Sequence, residues 1–317
     1  MKHKLFTGVL LAGICISAAV SAQTIKVTLL GTGVPQPSIE RFGPATVVEA
    51  NGQYFLFDCG RGASQRLWQK KIQLGKVNKL FLTHLHSDHV VGIPDFWLTG
   101  WLPTPFGKRT EPLQVWGPAG TVEMMDALQK AFAWDISVRS EEGNKADSGI
   151  MVKASAVSEG VVYDEGGVRI TAFIVNHSDV IDSALGYRLD FAGHSVVISG
   201  DTRYSENLVK HAKDVDVLVH EVAVARPELV QRSAVARQIL GYHTSPEEAG
   251  KIFSLTKPRL AVYSHIVLLS LDPTLPPPGV DDIITGTKKH FNGQFEVGDD
   301  LMTIEIGDKV EVKRFQK

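Results

Sequence analysis

The stretch Thr83-His84-Leu85-His86-Ser87-Asp88-His89 constrains this chain more than any other. Three histidines and a carboxylate fall within six residues. Neutral imidazole and carboxylate are favoured ligands of zinc and similar divalent ions. The run Lys79-Leu80-Phe81-Leu82 just before it reads as a buried strand. Ser87 stands where a helix N-cap belongs, ahead of Val90-Val91-Gly92-Ile93. The cluster is therefore predicted on a strand-to-helix turn, where side chains converge. Four potential ligands are more than one tetrahedral ion with an open position needs, so two ions side by side are expected.

The N-terminus bears on the compartment. Lys2, His3 and Lys4 form a basic region, and Leu5 to Ile16 is an apolar run too short for a spanning helix. Val20-Ser21-Ala22 supplies small residues for cleavage. Residues 1–22 are thus read as a secretory signal peptide, with 23–317 as the mature chain in the periplasm or outside the cell; an uncleaved anchor is the alternative. Its removal leaves Cys59 as the one cysteine, so no internal disulfide is available. No later segment is apolar enough to span a membrane, so none is expected in the membrane after cleavage.

Hydrophobic residues make up 44% and charged residues 21%, ordinary for a globular protein. The formal net charge is -2, and no long Lys/Arg run is present. On that basis no nucleic-acid partner is expected. Alternating short strands and helices indicate a mixed α/β class. Strands are expected at Ile25–Leu30, Ala45–Glu49, Tyr54–Phe57, Leu113–Trp116, Val168–Val175, Ala184–Asp190, Ser195–Ile198, Val215–His220 and Leu260–Tyr263. Helices are expected at Ala63–Lys70, Asp88–Leu98, Thr121–Phe132 and Pro246–Phe253, the last capped by Ser245. The tail from Phe295 to Val312 reads as a β meander. No Gly/Ser-rich linker interrupts the chain, so one domain is expected. The proline-rich segment Leu271 to Gly279 reads as a stiff loop near the site mouth.

The sequence His84-x-His86-x-Asp88-His89 after an apolar strand resembles the metallo-β-lactamase superfamily. Asp58 in Phe57-Asp58-Cys59-Gly60, His177 in Val175-Asn176-His177-Ser178, Asp201 in Ser199-Gly200-Asp201-Thr202 and His265 in Tyr263-Ser264-His265-Ile266 follow in the family's order. The resemblance covers nearly the whole mature chain and implies a four-layer αβ/βα sandwich. It is strongest to the ribonuclease Z-like branch and, within it, to bacterial zinc-dependent arylsulfatases. The resemblance to that group rests on Pro35 to Pro44 and Gly92 to Leu102. The Lys- and Arg-containing loop of ribonuclease Z is absent from Val34 to Pro44. A long Gly/Lys-rich arm is also missing between Trp116 and His177.

The resemblance implies that His84, His86 and His177 hold a first ion and that Asp88, His89 and His265 hold a second. Asp201 bridges both. Asp88 would also serve the chemistry, and Asp58 and His220 would support the ligands from behind. Two divalent ions, zinc foremost, would lower the pKa of a shared water toward ~7. His220-Glu221-Val222 and His243-Thr244-Ser245 resemble the loops flanking the ribonuclease Z centre. His243, oriented by Glu221, would assist the leaving oxygen. The expected reaction is hydrolysis of a small anionic ester, an aryl sulfate first. Another ester, a phosphodiester or a lactone, is the alternative, and a non-catalytic metal-binding role is a third reading. The formylglycine sulfatase signature Cys-x-Pro-x-Arg is absent, since Cys59 is followed by Gly60-Arg61-Gly62. Trp97 and Trp101 are four apart; with Phe106 they either line an aromatic pocket or pack in the core, and helix spacing fits both. Arg203 either pairs with a substrate anion or is a solvated surface residue. Self-association into a homodimer is left open.

Overall fold

The computed structural model describes residues 23–144, 148–181 and 183–316. The segment read above as a signal peptide lies outside the described residues. Among the described residues, fifteen strands form two sheets. The first half of the chain supplies β1 (Ile25–Gly31), β2 (Ala45–Ala50), β3 (Gln53–Phe57), β4 (Lys79–Phe81), β5 (Leu113–Gly117) and β6 (Val152–Ala156). The second half supplies β7 (Gly160–Glu165), β8 (Val168–Val175), β9 (Ala184–Phe191), β10 (His194–Ile198), β11 (Val217–Ala225), β12 (Leu260–Leu269) and β13 (Phe295–Val297). The chain then returns to the first sheet as β14 (Thr303–Ile306) and β15 (Val310–Lys313). The strand orders are β15-β14-β1-β2-β3-β4-β5-β6 and β13-β12-β11-β10-β9-β8-β7.

Alternation along the strands builds the layers. Phe55, Phe57 and Phe81 point between the sheets, where they meet Tyr163, Tyr187, Val196 and Val219. Their neighbours Leu56, Leu80 and Leu82 point outward and pack under helices with Leu67, Phe96 and Met125. The second sheet repeats the scheme. Val197, Leu218, Ala261 and Tyr263 face outward onto Leu208, Ile252, Phe253 and Ile283 of its covering helices. The result is the expected αβ/βα sandwich in one domain. Among the described residues no helix is long and apolar enough to cross a membrane.

In each sheet antiparallel strands give way to parallel ones. β3, β4, β5 and β6 run parallel, as do β10, β11, β12 and β13. Parallel strands bring their C-terminal ends to one edge, where α/β sheets place their sites. Asp58 follows β3, His84 follows β4 and Asp201 follows β10.

Several expectations need correction. The helix expected over Asp88–Leu98 is two pieces, Ser87–Val90 and Ile93–Trp101, broken at Val91 and Gly92. His86, rather than Ser87, holds the N-cap position. β11 and β12 run well past the expected ends, with a register shift between His220 and Val222. The tail is not a meander: β13 joins β12 in one sheet, whereas β14 and β15 pair in the other. Ser245 caps its helix as expected, in a reciprocal capping box with Glu248.

Trp97 and Trp101 are core residues, 0% and 4% exposed, not pocket walls. The Trp97 indole N–H donates to the Ile150 carbonyl at 2.9 Å, which satisfies its polar atom inside the layer. Phe106 packs edge-on against Trp68 at 6.0 Å, on the same outer layer. Trp97→Ala should therefore cost about 3–5 kcal/mol in denaturant unfolding and leave metal content unchanged. Weaker substrate binding with unchanged stability would return Trp97 to a pocket role.

Candidate metal centre

Six histidines and three aspartates meet where the two sheets' C-terminal edges face each other. His84, His86 and His177 present ligand atoms within 4.8 Å of one another. Asp88, His89 and His265 form a second such group, and Asp201 belongs to two others, with His84 and His89 and with His177 and His243. All seven side chains expected as ligands thus converge from segments as far apart in sequence as His84 and His265.

Three of the ligand rings are aimed by a bond to the other nitrogen. His89 Nδ1 donates to Asp58 Oδ2 at 2.8 Å. His177 Nδ1 donates to the Tyr242 carbonyl at 3.0 Å. His84 Nδ1 lies 3.0 Å from Thr83 Oγ1, which in turn donates to Asp58 at 2.8 Å. Asp58 also accepts from the Thr83 backbone N–H at 2.8 Å. One carboxylate therefore orients two ligand histidines, the supporting role expected for it. These bonds leave the Nε2 atoms of His84, His89 and His177 free to face the centre.

Two backbone outliers sit here. Asp58 has φ 57° and His265 φ 44°, a left-handed region that non-glycine residues rarely adopt. Both turn the chain abruptly at a strand end or bulge. Gly60 allows the adjoining turn: a Cβ there would lie 2.5 Å from the Asp88 carbonyl oxygen.

The donor set fits divalent cations. His84 Nε2 and His177 Nε2 lie 3.0 and 3.2 Å from His86 Nδ1, so nitrogens face one another across the gap. His89 Nε2 and Asp201 Oδ1 are buried without a hydrogen-bond partner. Asp58, Asp88 and Asp201 are buried, and among the described residues their ion-pair partners are histidines, with no Lys or Arg. Three buried carboxylates demand positive charge. Burial and the neighbouring His89 push His84 well below the usual histidine range, which keeps it a neutral ligand. Burial opposes charge on His89 too, yet Asp201 and Asp58 lift its pKa well above normal. Burial also opposes ionisation of Asp201, but His265 and His89 hold it well below the carboxylate range.

His243 lies beside this set. Its ring stacks on His265 at 5.5 Å, and its Nδ1 donates to Glu221 Oε2 at 3.2 Å. The Thr244 backbone N–H fixes Glu221 Oε1 at 2.7 Å. Burial lowers the His243 pKa, but the Glu221 carboxylate outweighs it and raises the value to about 9. His220 is turned elsewhere. Its Nδ1 donates to the Glu221 carbonyl at 2.6 Å, and its ring meets Phe253 edge-on at 5.9 Å. It braces the backbone of Glu221 and touches no ligand directly. Arg203 pairs with the exposed Asp179 Oδ1 at 2.6 Å. Sequence reasoning missed the Thr83 relay and the Tyr242 carbonyl. A threonine just before the histidine cluster was a visible signal; a backbone acceptor 65 residues from His177 was not.

A profile described as "Beta-lactamase superfamily domain" matches residues 53–266. The chain belongs to this metallo-β-lactamase superfamily, as fold and site both indicate. Within it, the chain falls in the ribonuclease Z-like branch. It is 36% identical over 284 residues to "Ribonuclease Z" of Mycolicibacterium gilvum, covering 89% of this chain and 96% of that protein. The metallo-beta-lactamase fold protein YhfI of Bacillus subtilis has the same fold, with a TM-score of 0.67 at 18% identity over 89% of this chain and 100% of that one. Human tRNase Z, short form, gives 0.63 at 21% identity over 88% and 98%.

These relatives overturn the expectation of no nucleic-acid partner, since the sequence matches are proteins named ribonuclease Z. The charge argument failed because net charge averages over the whole surface. A centre that gathers divalent cations attracts phosphate locally, whatever the total.

Two divalent ions per chain are expected by elemental analysis. Asp201→Ala should lower both occupancies, and His265→Ala mainly one. Asp58→Asn should weaken metal affinity by about 10–100-fold while the fold persists. Full metal retention in Asp58→Asn would remove it from the ligand-orienting role.

Proposed function

We propose that this protein is a metal-dependent hydrolase of phosphodiesters, with RNA as the substrate class its ribonuclease Z relatives suggest. The observation that carries this reading is the convergence of seven ligand side chains beside the His243–Glu221 pair. Bound divalent ions would supply Lewis acidity and bring the pKa of a water toward ~7. The chain's own contribution is orientation and proton delivery. Thr83, Asp58 and the Tyr242 carbonyl fix the ligand rings. His243, protonated under the influence of Glu221, hands a proton to the departing oxygen, an effect of about 10²–10⁴-fold.

Sulfate-ester hydrolysis at the same centre is the second reading. It is favoured by the make-up of the connection between β5 and β8. The described residues there form helices and strands rather than a long Gly/Lys-rich arm.

The test is a panel of an RNA oligonucleotide, bis(4-nitrophenyl) phosphate and 4-nitrophenyl sulfate, with and without a chelator. Phosphodiester turnover that the chelator abolishes is expected. Turnover of the sulfate alone would transfer the assignment to the second reading. His243→Ala should keep both metals and lower kcat, with a larger loss for poor leaving groups than for nitrophenolate. Equal loss across leaving groups would make His243 a charge stabiliser instead.

Export belongs to the second reading, on the strength of the Lys2 to Ala22 leader. N-terminal sequencing of the protein from its native host should then begin near Gln23, in the periplasmic or secreted fraction. An intact Met1 in the cytosol would favour the RNA substrate.

A further inference from the structure

One wall of the centre opens into a cleft of about 490 Å³. His243 and His265 form its inner end. The Val34–Pro35 segment, Ile239, Ile266, Leu268 and Leu271 make its sides. Val267 and Leu269 also line it and pack with Leu229 in a small apolar cluster. Leu271 is 48% exposed, so the outer end reaches solvent.

From this continuity we infer that the cleft is a subsite for a planar apolar substituent on the scissile ester. The inference rests on the hydrolase reading above. Two histidines are common to the cleft and the centre. Glu221, His243 and His265 have ligand atoms within 4.8 Å of one another. An anionic head held at the aspartate-histidine cluster therefore carries its substituent directly past His243 into the aliphatic walls. The side that His243 serves is the leaving-group side, so the substituent is the departing alcohol or phenol. Among the described residues, no charged side chain other than Arg41 lines the cleft, apart from the two histidines. Arg41 is committed to Thr32 Oγ1 and the Gly298 carbonyl, both at 2.6 Å. The walls thus reward removal of apolar surface from water and offer little to a second charge.

The test measures binding, not turnover. Methylphosphonate and phenylphosphonate share an anionic head and differ in the group that would enter the cleft. Calorimetry on the metal-loaded full chain should show phenylphosphonate binding about 10- to 100-fold more tightly, as expected for burying one ring. Ile239→Asn should bring that ratio toward one. Leu271→Ser, at an exposed position, serves if Ile239→Asn does not fold, and should reduce the ratio in the same direction. Equal affinities in the wild-type chain would overturn the subsite. An unchanged ratio in both variants, or a dimer that dissociates in Ile239→Asn with the ratio intact, would also overturn it and mark the cleft as another kind of surface. A ring preference without phosphodiester turnover would support the subsite while sinking the phosphodiesterase reading. Turnover without a ring preference would do the reverse.

Discussion

Three buried aspartates, whose ion-pair partners among the described residues are histidines alone, govern this molecule. Asp58 and Asp88 come from the first sheet's edge, and Asp201 from the second's. Left uncompensated, their desolvation would be costly enough to drive the edges apart. Histidines alone meet the demand partly: burial opposes charge on His89, yet Asp201 and Asp58 lift its pKa well above normal. Divalent cations would meet it fully, and their affinity then becomes part of the folding free energy. The centre therefore joins the two halves of the sandwich as well as preparing the chemistry. The same logic accounts for the left-handed backbone at Asp58 and His265. Such strain persists where surrounding bonds over-determine it, and Asp58 has three accepted hydrogen bonds doing so.

The ligand set was legible in the sequence because its chemistry is local. His84, His86, Asp88 and His89 lie on one turn, and the remaining ligands each follow a recognisable apolar strand. What was illegible depends on choices that local pattern leaves degenerate. Trp97 and Trp101 share a helix face, and a helix face points equally well to core or pocket until its partner layer is known. Met125 and Ile150, from later in the chain, are buried in the same layer. The tail failed for a similar reason. Period-two alternation identifies strands at Phe295–Val297 and Thr303–Ile306 but not the sheet each joins. The long ends of β11 and β12 were hidden by the His220-Glu221 and Ser264-His265 interruptions, which look like strand ends and are in fact bulges carrying the site.

Placing polar residues at a bulge has a further consequence. After the register shift, Val222–Ala225 and Ile266–Leu269 resume pairing beyond the centre. The second sheet therefore extends past its own active edge, and this extension supplies the floor and one wall of the apolar cleft. The first sheet has no matching extension: β3 and β4 stop at Phe57 and Phe81. The site is consequently asymmetric, with ligand-orienting polar contacts on one side and aliphatic walls on the other.

That asymmetry favours the chemistry argued for His243. A proton donor is effective when its charge is held by a fixed partner and shielded from water. Glu221 provides the partner, with the Thr244 backbone N–H at 2.7 Å preventing it from turning toward the cations. The aliphatic side of the cleft supplies low polarity on the opposite flank, where interactions between charges are strengthened. If Glu221 were free to rotate, its carboxylate would compete as a ligand, since it already lies within 4.8 Å of His265's ligand nitrogen. The backbone bond from Thr244 thus separates two roles that the same residue could otherwise fill. It keeps Glu221 behind His243, and leaves the seven side chains of the cluster as the ones that would hold divalent cations.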